Sequence, residues 1–304
     1  MFGPVHIEFS EFIRALLFEG TSTHELIVWE LRLPRVIAAT LVGASLGMSG
    51  AMLQGMLRNS LASPFLLGIS AGSGLVIVLL LTLSTWQFLI PFGAWLGAIL
   101  TTVFVYIFAL NDNNISLEKL ILGGVAISSL FGAIQSILLL QADDGRIQSA
   151  LTWLVGSLNN RGWNDITYVW PLIIIGLLAG CFLSRRINIL SLGDDLAAGL
   201  GTSLIRSRLL IGLFAALLAA CAVSIAGLVG FIGLIVPHAV RFLVGHDNRS
   251  VLPLSAISGA LVLTSADFIA KSGSVEIPVG VITALIGSPA FIFLLYQRNT
   301  RTTR

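Results

Sequence analysis

"ELRLPRVIAATLVGASLGMSGAM", Glu30 to Met52, decides the fold. Arg32 and Arg35 bracket Pro34, and an apolar run begins directly behind them. About 20 apolar residues in a row span a bilayer. A guanidinium beside hydrocarbon is costly unless it reaches the headgroups or a partner. The stretch therefore reads as the mouth of a membrane helix, with Pro34 in its first turn, where no backbone donor is lost.

The rest of the chain agrees. Of 304 residues, 56% are hydrophobic and only 11% are charged, and the mean hydropathy is +0.96. A soluble domain carries about a quarter charged residues, so this chain cannot cover a water-facing surface. It reads as an all-α, polytopic membrane bundle with no separate soluble domain. The net charge of +2 and the lack of any basic block argue against nucleic acid as a partner. Cys181 and Cys221 stand far apart in apolar runs and show no ligand spacing, so they read as small apolar packers.

Nine candidate spans follow from the apolar runs: 35–57, 64–84, 88–110, 118–140, 167–184, 207–225, 228–243, 251–270 and 277–297. The seventh is short and glycine-rich. Small residues recur in "GASLGMSGA", "GISAGSG" and "GGVAISS", and such positions let helix backbones approach closely in lipid.

If the loop holding Arg58 is cytoplasmic, alternation also places Lys119, Arg185, Arg186, Arg206, Arg208, Arg241, Arg249, Arg298, Arg301 and Arg304 inside. Arg14, Arg32, Arg35, Arg146, Arg161 and Lys271 fall outside. The excess of inner cations supports this orientation, and Trp29, Trp86, Trp153, Trp163 and Trp170 form an outer interfacial belt. Nine spans with an inner C-terminus leave residues 1–34 outside, with no signal-like segment to explain their export. Within them, Ile7, Phe9, Phe12, Ile13, Leu16 and Leu17 form an amphipathic face suited to lie along the interface. A further span before residue 1, with a start codon placed too late, would restore even parity.

No G-x-x-x-x-G-K-[ST] loop is present, so any ATPase must be another chain. Ion-coupled carriers need ionisable groups within their spans. Here the main example is Asp267, near an outer end, with Lys271 at i+4 for a partner. His238 beside Pro237 is a lone histidine, which suits packing or capping better than a metal. The long inner loop "SRRINILSLGDDLAAGLGTSLIRSR" differs from the rest. "SLGDDLAAGLG" reads as a short helix capped by Ser191 or Gly193, with Asp194 and Asp195 in its first turn and Gly199 and Gly201 ending it. Two short helices in this loop would make a docking knob.

Six stretches together resemble the iron-chelate/cobalamin permease family of bacterial ABC importers. They are "LRLPRVIAATLVGASLGMSGAMLQGMLRNSLASPFLLGISAGSG", "LILGGVAISS", "LTWLVGSL", "LSLGDDLAAGLG", "GLVGFIGLIVPHAVRFLVGHDNRSVLP" and "ADFIAKSGSVEIPVGVITALIGSPAFIFLL". They are collinear from about residue 3 to residue 297.

The resemblance implies one transmembrane permease domain over 1–304, with 1–34 extracytoplasmic and 185–206 forming cytoplasmic coupling helices. It implies a homodimer or paired homologous permease in the bacterial cytoplasmic membrane, two cytoplasmic ATPase subunits and a periplasmic or lipid-anchored binding protein. The substrate it implies is an iron chelate. No cofactor is expected on this chain, with ATP and Mg on the partner ATPase. By motif position, Arg32, Arg35 and Lys271 would meet acidic residues of the binding protein; headgroup anchoring is the plainer alternative. Leu192, Gly193, Asp194, Asp195, Ala197, Gly199, Leu200 and Gly201 would form the ATPase-coupling tip. Gln54, Ser128, Ser129, Gln135 and Ser136 would line the pathway, unless they only make interhelical hydrogen bonds.

Departures from the family pattern are Ser60 where "RNPLA" is common, Ser116-Leu117-Glu118 where small hydroxyl residues pinch the exit, and the missing first span. A ferric siderophore is the favoured substrate, with haem or cobalamin as alternatives. An ion-coupled carrier is a weaker reading, and an embedded serine hydrolase using His238 the weakest.

Overall fold

The computed structural model describes residues 8–83, 89–111, 114–273 and 275–302, and side chains for all of these except 66, 111, 114 and 293–302. Ile7, Trp86 and Arg304 lie outside the described residues, as do the side chains of Arg298 and Arg301.

Two short helices, α1 (Phe9–Leu16) and α2 (Ser22–Leu26), come first. α1 exposes Phe9, Ile13 and Leu16 and buries Ala15, as a helix lying on an interface does. From Ser22 the chain stays helical to Leu57. Pro34 stands in the first turn of the α-helix Leu33–Leu57, as expected, but a π-helical stretch leads into that turn without a break. Its ring is tolerated because Ile27–Arg32 is a π-helix, in which the Leu33 amide donates to the Val28 carbonyl five residues back. The widened turn relieves the clash a proline makes with the carbonyl four residues earlier.

The chain continues through α3 (Leu33–Leu57), α4 (Ile69–Thr82), α5 (Ile90–Ala109), α6 (Leu117–Leu140), α7 (Asp144–Val155), α8 (Trp163–Thr167) and α9 (Trp170–Ser191). It ends with α10 (Asp194–Gly199), α11 (Leu204–Ala226), α12 (Ile232–Val244), α13 (Asn248–Ala270) and α14 (Val279–Thr302). A two-residue antiparallel bridge, Leu110 to Ile115 and Asn111 to Asn114, closes the α5–α6 turn.

Every expected span is a helix. Six described helices are long and apolar enough to cross a membrane, and Ile69–Thr82, Ile232–Val244 and Val279–Ile292 are shorter apolar helices. The fifth expected span shifts toward the inner loop, to Trp170–Ser191. The seventh loses its first turn because Gly227 and Phe231 adopt positive φ of 71° and 67°, which no α-helix accepts.

α3 runs through the middle, against α13, α11, α12 and α9. The Ser49 hydroxyl, buried in this core, donates to the Ala215 carbonyl on α11 at 2.7 Å. α3 and α13 cross backbone to backbone: a Cβ on Gly43 would strike the Gly259 carbonyl, and one on Gly259 would strike the Gly43 carbonyl. Lipid tails are as apolar as leucine, so close packing of this kind drives helix association. α6 is the least enclosed of the long spans.

Gly259→Leu should lower the stability of the detergent-solubilised protein by about 3 kcal/mol, because backbone rather than a flexible side chain stands in the way. Gly132→Ala, where a Cβ meets nothing within 4 Å, should be neutral or stabilise by up to about 1 kcal/mol. Thermal unfolding followed by tryptophan fluorescence compares them. Equal effects would show that the crossing is not limited by packing.

Candidate functional site

Charged side chains gather at the two ends of α3, which carries Arg35 near its start and Arg58 at its C-cap. At 1.5 Å per residue these ends are roughly 35 Å apart.

At the first end, the Arg35 Nε donates to both carboxylate oxygens of Asp267, at 3.1 and 3.0 Å. Its Nη2 donates to Asp267 Oδ1 and Asn159 Oδ1, both at 2.9 Å, and its Nη1 to Glu276 Oε1 at 3.1 Å. Lys271 Nζ lies 3.6 Å from Asp267 Oδ2. The Asp267 side chain is 2% exposed and that of Arg35 13%. One guanidinium thus ties α3 to the end of α13, to the loop after α7 and to the segment before α14.

Indole hydrogen bonds link α8 to the N-terminal segment. The Trp163 indole donates to the Trp29 carbonyl at 2.8 Å, and the Trp29 indole to the Ala15 carbonyl at 3.2 Å. Arg161 lies over the Trp153 ring, 4.1 Å from its centroid. Burial pushes the Arg161 guanidinium pKa down, and Asp165 opposes that shift.

Arg35 and Lys271, two of the three expected docking cations, share one mouth and both pair with Asp267, with Glu276 as a second carboxylate on Arg35. Arg32 sits half-buried one turn before Arg35. The pairing of Asp267 with Lys271 holds, and Arg35 is the closer partner.

At the second end, Gly193 takes φ 110° as the N-cap of α10, and Asp194 and Asp195 fill the first turn. Gly201, at φ 76°, turns the chain after it. The Ser191 hydroxyl donates to the Asn188 carbonyl instead of capping. Only one short helix lies between α9 and α11: of the expected 185–206 pair, residues 185–191 prolong α9 and 204–206 begin α11. Leu192, Leu196 and Leu200 are 56%, 62% and 64% exposed; Leu196 lies on α10 and Leu200 at its C-cap, four residues on, while Leu192 ends α9 across the Gly193 turn. Ala197 is buried beneath, while Asp195 and Gly199 are exposed.

Asp194 is held. The Arg208 Nη2 reaches its two oxygens at 2.7 and 2.9 Å, and the Arg58 Nη2 reaches Oδ1 at 3.2 Å. Nearby, the Asn188 amide donates to Asp247 at 2.6 Å. The Asn188 carbonyl oxygen accepts from the backbone and side-chain nitrogens of Asn248, at 2.9 and 2.8 Å. The Asp247 carboxyl is held below its usual range by the Arg249 backbone N–H first and the Asn188 amide second.

The expected pathway residues divide. Gln54 is buried between α3 and α12: it donates to the Leu234 carbonyl at 3.0 Å and accepts from Arg241. Within one chain it lines nothing open. Gln135 donates to the Ala71 carbonyl on α4 at 3.0 Å. Ser128, Ser129 and Ser136 bond the carbonyls of their own helix, at Gly124, Val125 and Gly132, so they make no interhelical bonds. Ser129 and Ser136 sit on the exposed face of α6.

The model of the FecCD transport family matches residues 1–297. The chain belongs to that family. It is a helical membrane protein of the ABC importer permeases whose members serve iron chelates, haem and cobalamin. The cobalamin import system permease protein of Halobacterium salinarum is 40% identical over 288 residues, 94% of this chain and 78% of that protein. The iron(3+)-hydroxamate import system permease protein of Bacillus subtilis is 37% identical over 308 residues, 98% of this chain and 91% of that one. A solved structure, described as an inward-facing conformation of a metal-chelate type ABC transporter, superposes with a TM-score of 0.86. It shares 33% identity and covers 91% of this chain and 89% of that one.

Sequence reasoning missed Leu196, Arg208, and the gathering of Asn159, Asp267 and Glu276 around Arg35. A signal existed for one of these. Charge counting had already put Arg35 and the end of the eighth span on the same side, and Asp267 was the main carboxylate within the spans.

Arg35→Gln or Asp267→Asn should each destabilise the protein by about 3–5 kcal/mol, since either leaves a buried charge without its partner. Arg35→Met with Asp267→Leu should recover most of that loss. Thermal unfolding of the two single variants and the double variant in detergent tests this, and additive losses would show that the pair is not coupled.

Proposed function

We propose that this chain is the permease subunit of an ATP-driven importer that moves a ferric siderophore across a bacterial cytoplasmic membrane, working as a pair of permeases. The exposed leucines at α10 carry the reading. Leu196 and Leu200 stand exposed on a short, anchored helix and its C-cap, and Leu192 is exposed on the turn before it, at the end of α3 opposite Arg35. An apolar face offered at a polar end needs a cover. The cover proposed is an ATPase subunit, which binds ATP and Mg, with Gly193, Asp194, Asp195, Ala197, Gly199 and Gly201 shaping the tip it receives.

The Arg35 end would receive the substrate-binding protein. Arg32, Arg35 and Lys271 are proposed to meet it, Arg35 and Lys271 through the cluster they form with Asp267. Ser129 and Ser136, on the exposed face of α6, are proposed to line the pathway once a second permease stands opposite. Short hydroxyls already satisfied by their own helix grip a passing chelate weakly. An ion-coupled carrier fits less well, because Asp267, the carboxylate it would use, is engaged by Arg35 and Lys271.

Reconstitution with the ATPase and binding protein in liposomes tests substrate and energy source. Uptake of an iron-loaded hydroxamate should require ATP and exceed that of haemin and cobalamin. Preference for either of those would overturn the siderophore assignment, and uptake without the ATPase would overturn the importer reading. Leu196→Arg with Leu200→Arg should weaken capture of the ATPase roughly 30-fold, the scale for losing interface hot spots, and leave the folded permease intact. Pull-down from detergent reads this directly.

A further inference from the structure

Arg208 is the most deeply placed charge at the Asp194 end: its side chain is 2% exposed. Such a group is held only at a cost unless its hydrogen bonds are made. It spends them on two different pieces of chain. Nη2 takes Asp194 on α10 at 2.7 and 2.9 Å. Nη1 donates to the carbonyl of Ile115 at 3.0 Å, one residue before Ser116, the N-cap of α6. The Tyr106 hydroxyl on α5 in turn donates to the Arg208 carbonyl at 3.3 Å. The planar guanidinium fixes both directions at once. Arg58, at the C-cap of α3, adds a second cation on Asp194.

We propose that Asp194 and Arg208 form a charged linkage that makes α10 and the α5–α6 turn move as one body, with Arg208 the positioning residue for the adjacent end of α6. α6 is the least enclosed of the long spans, and so the one most free to follow. A push received at the exposed leucines would pass through Asp194 and Arg208 to the Ile115 carbonyl and on to the first turn of α6. Coupling of this kind needs rigid pieces joined by a hydrogen-bonded network. The proposal rests on α10 being the ATPase-facing helix.

The test uses the complete complex with its ATPase, spin labels at Lys119→Cys and Ala198→Cys, both exposed, and pulsed electron–electron distance measurement with and without nucleotide. In the otherwise unaltered protein the distance should stay single, narrow and independent of nucleotide. Asp194→Asn should broaden it and make it respond to nucleotide, and Asp194→Glu should restore it. Transport per ATP hydrolysed should fall roughly tenfold in Asp194→Asn, the order at which a broken network element alters coupling. A nucleotide-dependent distance in the parent, or a narrow one in Asp194→Asn, overturns the proposal. The parent measurement stands even if Asp194→Asn fails to fold. Should Leu196→Arg with Leu200→Arg leave ATPase capture unchanged, the docking reading fails on its own, and the label distances still judge the linkage.

Discussion

A charge drawn into a bilayer must find its opposite within the protein, and the architecture around α3 follows from that. The Arg35 side chain is only 13% exposed, and a carboxylate from another helix meets it. Asp267 supplies it from α13, the helix whose backbone α3 meets most closely. The ion pair and the glycine contact between Gly43 and Gly259 fix the same crossing at two heights. Either alone would leave a hinge; together they set the angle and register of two long helices. Asn159 and Glu276 then bring the loop after α7 and the segment before α14 to the same point, so distant parts of the chain are positioned by one side chain.

The other end of α3 follows the same rule with a different result. Arg58 and Arg208 converge on Asp194, which belongs to a six-residue helix in a loop rather than to a span. A helix that short is marginal alone in water. Its order comes from the carboxylate in its first turn, held by a buried cation near the start of α11, and from Ala197 packed beneath. The leucines on its outer face take no part in that anchoring. A rigid apolar ridge is thus offered outward by a helix secured from behind.

The bundle was legible because its signals are additive. Twenty apolar residues in a row, small residues where helices cross, and arginines on alternate loops each depend only on local sequence. The ends were harder to read. Pro34 does open the α-helical part of α3, but the π-turn before it, which makes the proline harmless, leaves no pattern in composition. The inner loop looked long enough for two helices, but α9 runs on to Ser191 through "RRINILS", whose polar residues masked its continuation.

The site residues divide along the same line. α10, its two aspartates and its closing glycine were readable because capping chemistry is local. The pair of Lys271 with Asp267 was readable because its spacing of four is local, whereas nothing local shows that residues 35 and 267 meet. Gln54 was read from its place in a small-residue span, and within one chain its amide is engaged by α12. Polar groups in a membrane chain serve the fold before they serve the cargo, because an unsatisfied one costs more in hydrocarbon than in water. A pathway for a bulky chelate is therefore better sought among groups whose hydrogen bonds close within their own helix. Ser129 and Ser136 meet that condition on the face of α6 that one chain leaves uncovered.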